Sequence, residues 1–182
     1  MASRNSREIA RVAVCVALLA VSSWVSIPLG PVPFTLQTMV LAMLPVVLAG
    51  RGAAWAVGAY LVLGGIGFPV FAGFMGGVGV LSGPTGGYLV GFLFGELLAS
   101  LVRDARALPS ATRLPLALVV LLLTSYVLGT AWFVLSSGSD VATALLLCVV
   151  PFAVPDVVKM ACGAALGRAV RHALAASRGA AA

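Results

Sequence analysis

Two charged residues, Asp156 and Lys159, stand inside an apolar stretch near the end of the chain. A charged side chain at membrane depth costs at least about 2.5 kcal/mol even on insertion scales, so two of them need an explanation. Their i, i+3 spacing places both on one face of a helix. One interpretation is a self-neutralising pair that ties helices together. The other is a polar floor in an outward-opening cavity, with one anionic acceptor and one cationic donor for a substrate.

The surrounding composition defines the class of protein. Of the 182 residues, 62% are hydrophobic and 9% are charged, whereas a soluble domain is about 25% charged. We therefore predict an all-α membrane protein whose first partner is the lipid bilayer. The basic residues are spread singly between apolar runs, which argues against nucleic acid as a partner. Five acidic residues, one histidine and three scattered cysteines leave little material for a metal site or a disulfide framework.

Apolar runs bounded by charge or by Pro and Gly predict six transmembrane helices in a single integral membrane domain, residues 1–182. The approximate spans are 12–27, 34–49, 53–72, 86–102, 114–136 and 152–167. Some are shorter than the roughly 20 residues that a perpendicular helix needs, so tilt or local thinning must help. A cleavable signal peptide is the alternative interpretation of the first run, because basic residues precede it.

The basic residues also predict the orientation, because Lys and Arg concentrate in cytoplasmic loops. Ten of the eleven lie at the two termini or in alternate loops: Arg4, Arg7, Arg11, Arg51, Arg103, Arg106, Arg113, Arg168, Arg171 and Arg178. The other loops contain no base, and the eleventh base is Lys159. Both termini are therefore predicted to be cytoplasmic. Glu96, the remaining acid inside a span, is interpreted as an interfacial partner for a basic loop.

The last apolar run, residues 141–167, is too long for one crossing. As a single helix it would measure about 40 Å, against a hydrocarbon core of about 30 Å. Pro151 and Pro155 are the natural break, since each removes a helical N–H. We expect a separate outer segment at residues 141–150 and a spanning helix that starts near Phe152. A continuous, kinked helix is the alternative.

The outer loops are apolar and rich in glycine and proline. The stretch from Gly64 to Tyr88 combines many glycines with Phe and Val, which is typical of compact irregular backbone with positive φ near a ligand or a helix. Such a loop could serve as a lid. For Gly58 and Gly91, close packing between transmembrane helices is the alternative. The run G-P-T-G-G-Y lacks the Gly-Lys-Ser/Thr ending of a phosphate loop, so no nucleotide site is predicted.

Four motifs in this order resemble one family. They are P-V-P-F-T-L-Q-T (31–38), G-F-P-V-F-A-G-F (67–74), G-P-T-G-G-Y (83–88) and P-x-x-x-P-D-x-x-K (151–159). The chain resembles BioY, the biotin-specific substrate-binding (S) component of energy-coupling factor (ECF) transporters. The resemblance implies a compact six-helix S-component fold that binds extracellular biotin with high affinity. It also implies a bacterial plasma-membrane location, a separate transmembrane coupling protein (T component), and two cytoplasmic ATPases that alone bind ATP.

The same resemblance implies which residues line the substrate pocket. They are Thr35, Gln37, Phe71, Gly73, Gly77, Thr85, Tyr88, Asp156 and Lys159. Some relatives have an additional Asn or Arg where this chain has Met75 and Leu89. The aromatic residues Trp24, Phe74 and Trp132 are candidate walls or, alternatively, interface anchors.

A stripe of small residues on the first helix predicts a docking face. Ala10, Ala13, Ala17 and Ala20 recur at spacings of three, four and three. Small side chains permit the close approach on which helix association in lipid depends. In an S component this stripe is expected to dock the coupling protein, and packing within the chain is the alternative.

The motifs of the sequence also bear on two other classes of function, an intramembrane enzyme and an autonomous transporter. An intramembrane enzyme is not expected, because the sequence has neither H-E-x-x-H nor G-x-S-x-G, and its single histidine is in the basic C-terminal tail. An autonomous secondary transporter or channel for another vitamin-like solute is the main alternative, although no convincing repeat between the halves supports it. We also predict that Asp156 and Lys159 face the ureido end of biotin, because the carboxylate end would add a second negative charge. Contact of Lys159 with the carboxylate, with Asp156 only orienting the lysine, is the alternative.

Overall fold

The computed structural model describes residues 2–179, and it describes the side chains of residues 6–177. The described residues are mostly helical, as the composition predicted. The helices are α1 (Ala2–Trp24), α2 (Gln37–Val47), α3 (Gly52–Gly65), α4 (Val78–Ser82), α5 (Gly86–Asp104), α6 (Ser110–Ser137), α7 (Val141–Cys148) and α8 (Val150–Gly179). The side chains of Arg4 and Arg178, which the base count includes, lie outside the described residues.

Two short strands precede α2. β1 (Ser26–Ile27) and β2 (Phe34–Thr35) are antiparallel, with Ser26 opposite Thr35 and Ile27 opposite Phe34. Three prolines lie between the strands, and proline, which lacks an N–H, prevents this segment from continuing as helix. The hairpin therefore returns the chain to the start of α2, so the helix begins at Gln37, three residues into the apolar run.

Within the described part of the chain, three helices are long and apolar enough to cross a membrane: α5, α6 and the Val150–Ser177 part of α8. The membrane-protein character predicted from composition is thus present in the structure. α2 and α3 have 11 and 14 residues, or about 16 and 21 Å at 1.5 Å per residue, which is less than the hydrocarbon thickness. The six membrane crossings therefore stay a prediction. They require the irregular segments beside α2 and α3 to span the rest of the hydrocarbon thickness.

α5 and α6 approach closely because glycines of α5 face α6. A Cβ on Gly91 would lie 2.9 Å from the Cα of Ser125, and Gly95 is similarly tight against α6. Glycines four residues apart leave a smooth helix face, which permits the backbones to pack directly. Gly87, where the glycine-rich stretch overlaps the predicted span 86–102, lies inside α5, and a Cβ there would collide with Trp132. Its role in the structure is helix packing.

α2 and α8 form the second close pair. A Cβ on Gly167 of α8 would lie 2.9 Å from the Cβ of Val46, and one on Gly163 would collide with the Met39 carbonyl oxygen. These contacts fix α8 alongside α2 with the N-terminal half of α8 beside the start of α2. Asp156 and Lys159 are consequently held next to the segment that contains Thr35.

The last apolar run is divided into α7 and α8, with the interruption at Val149. Pro151 lies in the first turn of α8, where proline is tolerated because the N–H it lacks would have no helical partner. Asp140 caps the start of α7 by accepting a hydrogen bond from the Thr143 N–H at 3.0 Å. Hydrogen bonds from Thr143 lower the pKa of the Asp140 carboxyl, so the cap is charged at neutral pH.

The glycine-rich segment between α3 and α5 is irregular, with a 3₁₀ turn at Ala72–Phe74 and the short helix α4. Gly73 and Gly77 have φ of 67° and 96°, a region that L side chains rarely adopt. The segment is fixed to the end of α1, since the Ser23 hydroxyl donates to the Val70 carbonyl at 2.6 Å. Phe74 stacks on Trp24 with ring centroids 5.0 Å apart.

The packing of α5 on α6 gives a stability prediction. Gly91→Ala should destabilise the protein by about 1 to 3 kcal/mol, because its methyl group must displace backbone of α6. Thermal unfolding of the purified protein in detergent measures the effect. Gly58→Ala is the matched control, since its Cβ would meet only Leu93 at an ordinary 3.8 Å. The control should unfold at or above the wild-type temperature, and equal destabilisation by both variants would contradict the packing role of Gly91.

Candidate functional site

A cavity of about 690 Å³ lies among the hairpin, the glycine-rich segment and the N-terminal ends of α2, α5 and α8. Its volume is within the range of small-molecule sites. The structure brings most of the residues predicted for the pocket to its lining: Thr35, Gln37, Phe71, Gly73, Thr85, Tyr88, Asp156 and Lys159. These residues are up to 124 positions apart in sequence, so the cavity is produced by the packing of the helices.

Asp156 and Lys159 form an ion pair on α8, with Lys159 Nζ 2.6 Å from Asp156 Oδ1. Their exposed fractions are 3% and 9%, so both charges are largely removed from water. Such a pair is tolerated only when the geometry is good and the remaining polar valences are satisfied.

Asp156 has two further partners from other helices. The Thr38 hydroxyl donates to Oδ1 at 2.9 Å, and the Tyr126 hydroxyl donates to Oδ2 at 2.7 Å. Both donors come from residues on neighbouring helices, α2 and α6. The carboxylate is therefore held in one orientation by three helices, including its own.

Lys159 is also fixed from outside α8. Its ammonium group donates to the Thr35 carbonyl oxygen at 2.7 Å. It lies 4.1 Å from the centroid of the Phe34 ring, within the range of cation–π attraction. β2 thus supplies both of these contacts.

A count of hydrogen-bonding valences shows what the ion pair can still offer. A lysine ammonium has three donors, and Asp156 and Thr35 take two of them. An ionised carboxylate has about four acceptor sites, and Lys159, Thr38 and Tyr126 occupy three. One donor of Lys159 and one acceptor site of Asp156, on Oδ2, therefore remain without a hydrogen-bond partner among the described residues.

A second polar group lies at the start of α2. The Gln37 amide donates to the Tyr60 hydroxyl at 2.9 Å, and its oxygen accepts from the Thr35 hydroxyl at 3.2 Å. Phe71 packs edge-on against Tyr60, with ring centroids 5.4 Å apart. Gln37 is thereby held with one amide hydrogen unused at the cavity wall.

Several residues proposed for the pocket lie elsewhere. Gly77 does not line the cavity. It has a positive φ and is the N-cap residue of α4. Trp24, Phe74 and Trp132 are also outside the lining: Trp24 and Phe74 stack on each other, and Trp132 donates to the Gly83 carbonyl at 2.9 Å. These aromatic residues contact the glycine-rich segment on the side away from the cavity, so they do not form cavity walls.

Met75 and Leu89 also line the cavity. Leu89 is buried and Met75 is half exposed. Both positions therefore contribute apolar surface to the lining.

Glu96, interpreted above as an interfacial partner for a basic loop, is completely buried within α5. Neither carboxylate oxygen has a hydrogen-bond partner among the described residues. The predicted interfacial position is therefore corrected, because α5 turns this side chain into the bundle, although Arg103 still attracts its carboxylate.

The alanine stripe on α1 is only partly exposed. Ala10, Ala13 and Ala17 are exposed, whereas Ala20 is 6% exposed and belongs to the hydrophobic core. The stripe rotates into the bundle toward the C-terminal end of α1. For Ala20 the structure therefore favours packing within the chain.

Three side chains at the ion pair were not assigned to the pocket from the sequence: Phe34, Thr38 and Tyr126. Phe34 and Thr38 lie within the 31–38 motif, which by itself assigns no role to either side chain. Tyr126 follows Ser125 in the middle of the apolar α6. Polar residues at that depth are themselves a signal of function, and this signal could have identified Tyr126.

Comparison with known families gives the affiliation of the chain. The profile of the BioY family matches residues 1–176. The chain belongs to the BioY family. A relative from Thermotoga maritima, named biotin transporter BioY, is 45% identical over 100 residues, which cover 55% of this chain and 59% of the relative. A probable biotin transporter BioY from Pyrococcus horikoshii is 37% identical over 158 residues, which cover 86% of this chain and 91% of the relative.

A solved structure extends the similarity to the fold. This BioY chain is similar to the crystal structure of the S-component for biotin from an ECF-type ABC transporter, with a TM-score of 0.82 and 25% identity over 94% of both chains. The predicted S-component fold and the family resemblance are confirmed. The named relatives are transporters, which confirms that this BioY chain is not an enzyme.

Proposed function

We propose that this chain binds extracellular biotin in the cavity and is the substrate-specific subunit for biotin uptake by an ECF-type ABC transporter. The observation that carries the proposal is the ion pair of Asp156 and Lys159 at the cavity wall, with one donor and one acceptor unused, in a BioY-family chain. The related S-component was solved as the component for biotin.

The ureido ring of biotin fits the unused valences. Its carbonyl oxygen accepts from the free Lys159 N–H, and one of its N–H groups donates to the free acceptor site of Asp156. The ion pair then stays neutral overall. A ligand carboxylate in the same place would put two negative charges against one positive charge in a region of low dielectric constant. The valerate tail therefore points toward the glycine-rich segment.

The rest of the cavity suits the apolar part of biotin. Phe71, Leu89 and Phe92 line it, and all three are buried. The sulfur-containing ring and the alkyl tail can lie against these side chains, which contributes about 25 cal/mol for each Å² of apolar surface removed from water. Gln37 and Tyr88 supply further polar contacts at the cavity wall.

The chain is proposed to act with partners that provide the energy for transport. These are a transmembrane T component and two cytoplasmic ATPases, which bind the ATP. The absence of a phosphate-loop motif in the sequence supports this division of labour. The basic residues at the termini and in alternate loops support cytoplasmic termini. Membership of the BioY family supports a location in the bacterial plasma membrane.

The substrate assignment is tested by calorimetry on the purified chain. Biotin should bind without nucleotide, and the chain should hydrolyse no ATP. Riboflavin and thiamine serve as control ligands of similar size class. No heat with biotin but clear heat with either control would reassign the substrate while retaining the architecture.

The orientation of the ligand predicts how two variants respond to biotin and to biotin amide. Asp156→Asn and Lys159→Met should each weaken both ligands by similar factors of about 10 to 100, since each removes a hydrogen bond to a charged group. Dissociation constants from calorimetry measure the effect.

Asp140→Asn is the matched control for this experiment, because Asp140 is an exposed acid outside the cavity and Asn also caps helices. It should bind both ligands like the wild type. If Lys159→Met weakens biotin strongly but leaves biotin amide nearly unchanged, Lys159 contacts the carboxylate and the orientation is reversed.

The exposed alanines of α1 are proposed to dock the T component. Ala13→Leu combined with Ala17→Leu should impair complex formation and biotin uptake while biotin binding stays near normal, because bulk separates the helix faces. Co-purification of the subunits and uptake by cells measure the effect. Ala131→Leu, at an exposed position on α6, is the control and should leave assembly intact. Loss of folding and of biotin binding together in the α1 variant would show that the stripe packs within the chain.

A further inference from the structure

A second cleft of about 330 Å³ lies at the opposite end of the bundle from the biotin cavity. It is bordered by the C-terminal ends of α2 and α5, by the C-terminal half of α8 and by the first turn of α6. Four arginines line it, Arg103, Arg113, Arg168 and Arg171. We call these residues and their surroundings the arginine cleft. In the predicted orientation it faces the cytoplasmic side of the membrane.

The arginines converge from three helices, and backbone carbonyl groups hold two of them. Arg103 donates from Nη1 to the Leu48 carbonyl at 3.5 Å. Arg113 donates from Nε to the Leu108 carbonyl at 2.9 Å and from Nη2 to the Arg106 carbonyl at 3.3 Å. Arg103 and Arg113 are half-buried, whereas Arg168 and Arg171 are exposed at the mouth of the cleft. The guanidinium of Arg113 is thus oriented by backbone groups before any ligand arrives.

The charges in the arginine cleft are only partly balanced by the described residues. Among the described side chains, no carboxylate lies within ion-pair distance of any of the four arginines, and none lines the cleft. Asp104 and Glu96 attract Arg103 from outside the lining, while Arg171 repels it. Positive charges gathered around one concave space repel one another unless an anion occupies it.

The chemical groups that line the cleft indicate which class of anion it can bind. Guanidinium groups bind phosphate oxygens in a planar, often bidentate manner. The first turn of α6, with Ser110 and Ala111, also borders the cleft, and the N–H groups of a helix start favour a negative ligand. Pro45, Val46 and Leu114 add an apolar side to the cleft. Basic pockets between transmembrane helices on the cytoplasmic side commonly take anionic lipid headgroups.

We propose that the arginine cleft binds a phosphate group at the inner face of the protein, supplied by an anionic phospholipid headgroup or by free phosphate. This site is separate from the biotin cavity and does not depend on the substrate assignment. A bound phosphate group would neutralise the repulsion between α5 and α8 and so hold the inner ends of these helices together.

The test uses the purified full chain in detergent micelles with three probes: phosphatidylglycerol, phosphatidylcholine and inorganic phosphate. Native mass spectrometry counts the bound molecules during a titration. Phosphatidylglycerol should bind to the wild type more tightly than phosphatidylcholine, whose headgroup carries no net charge. The double variant Arg168→Gln with Arg171→Gln should weaken phosphatidylglycerol about tenfold, because it removes two positive charges near the headgroup.

The matched control is Arg51→Gln with Arg106→Gln, which removes the same charge from exposed arginines that do not line the cleft. It should bind phosphatidylglycerol like the wild type. Thermal unfolding of each variant without added probe shows that it is folded. Displacement of the lipid by inorganic phosphate, abolished in the cleft variant, would support the same site with free phosphate as its source.

Three results would overturn the proposal. The first is equal weakening by the cleft variant and the control, which would mean that only overall surface charge matters. The second is binding of neither phosphatidylglycerol nor phosphate by the wild type. The third is protection of the four arginines by the T component alone, with no phosphate probe bound, which would show that the cleft receives an acidic protein segment.

Discussion

The desolvated ion pair of Asp156 and Lys159 is the interaction on which the arrangement of this molecule depends. Two charges inside an apolar bundle are tolerable only when each has partners in the right geometry. α8 provides the pair itself, but α2, α6 and β2 provide the groups that complete it. The hairpin and the two neighbouring helices are therefore fixed relative to α8 by a polar requirement in a protein that otherwise packs by apolar contact.

Glycine makes those distances possible. In lipid, apolar side chains gain little by leaving the solvent for one another, so helices are held by close contact and by interhelical hydrogen bonds. Gly163 and Gly167 let α8 lie directly on α2, and Gly91 lets α5 lie directly on α6. These contacts place Thr38 and Tyr126 on two sides of Asp156. A bulkier residue at these glycines would move the partners out of hydrogen-bonding range.

The two ends of the bundle then have different electrostatic character. At one end the charges are paired, buried and locally neutral, which suits a polar but uncharged ring. At the other end four arginines surround a cleft without a matching carboxylate among the described residues, which suits an anion. α8 runs through both ends, with Lys159 in the first and Arg168 in the second. A neutral site and a cationic site can therefore share one helix without competing for the same ligand.

The sequence by itself determined the membrane class, the family and the ion pair, because composition, four ordered motifs and the i, i+3 spacing are local properties. It also indicated the division near Pro151, since proline acts on its own helix. Only the tertiary structure decided what the side chains meet. Glu96 was assigned to the inner interface but is buried, Gly87 proved to be a packing residue, and Ala20 turned into the core. Tyr126 reaches Asp156 from 30 positions away. Such contacts depend on the rotation and separation of packed helices, and no local pattern in this sequence encodes those two quantities.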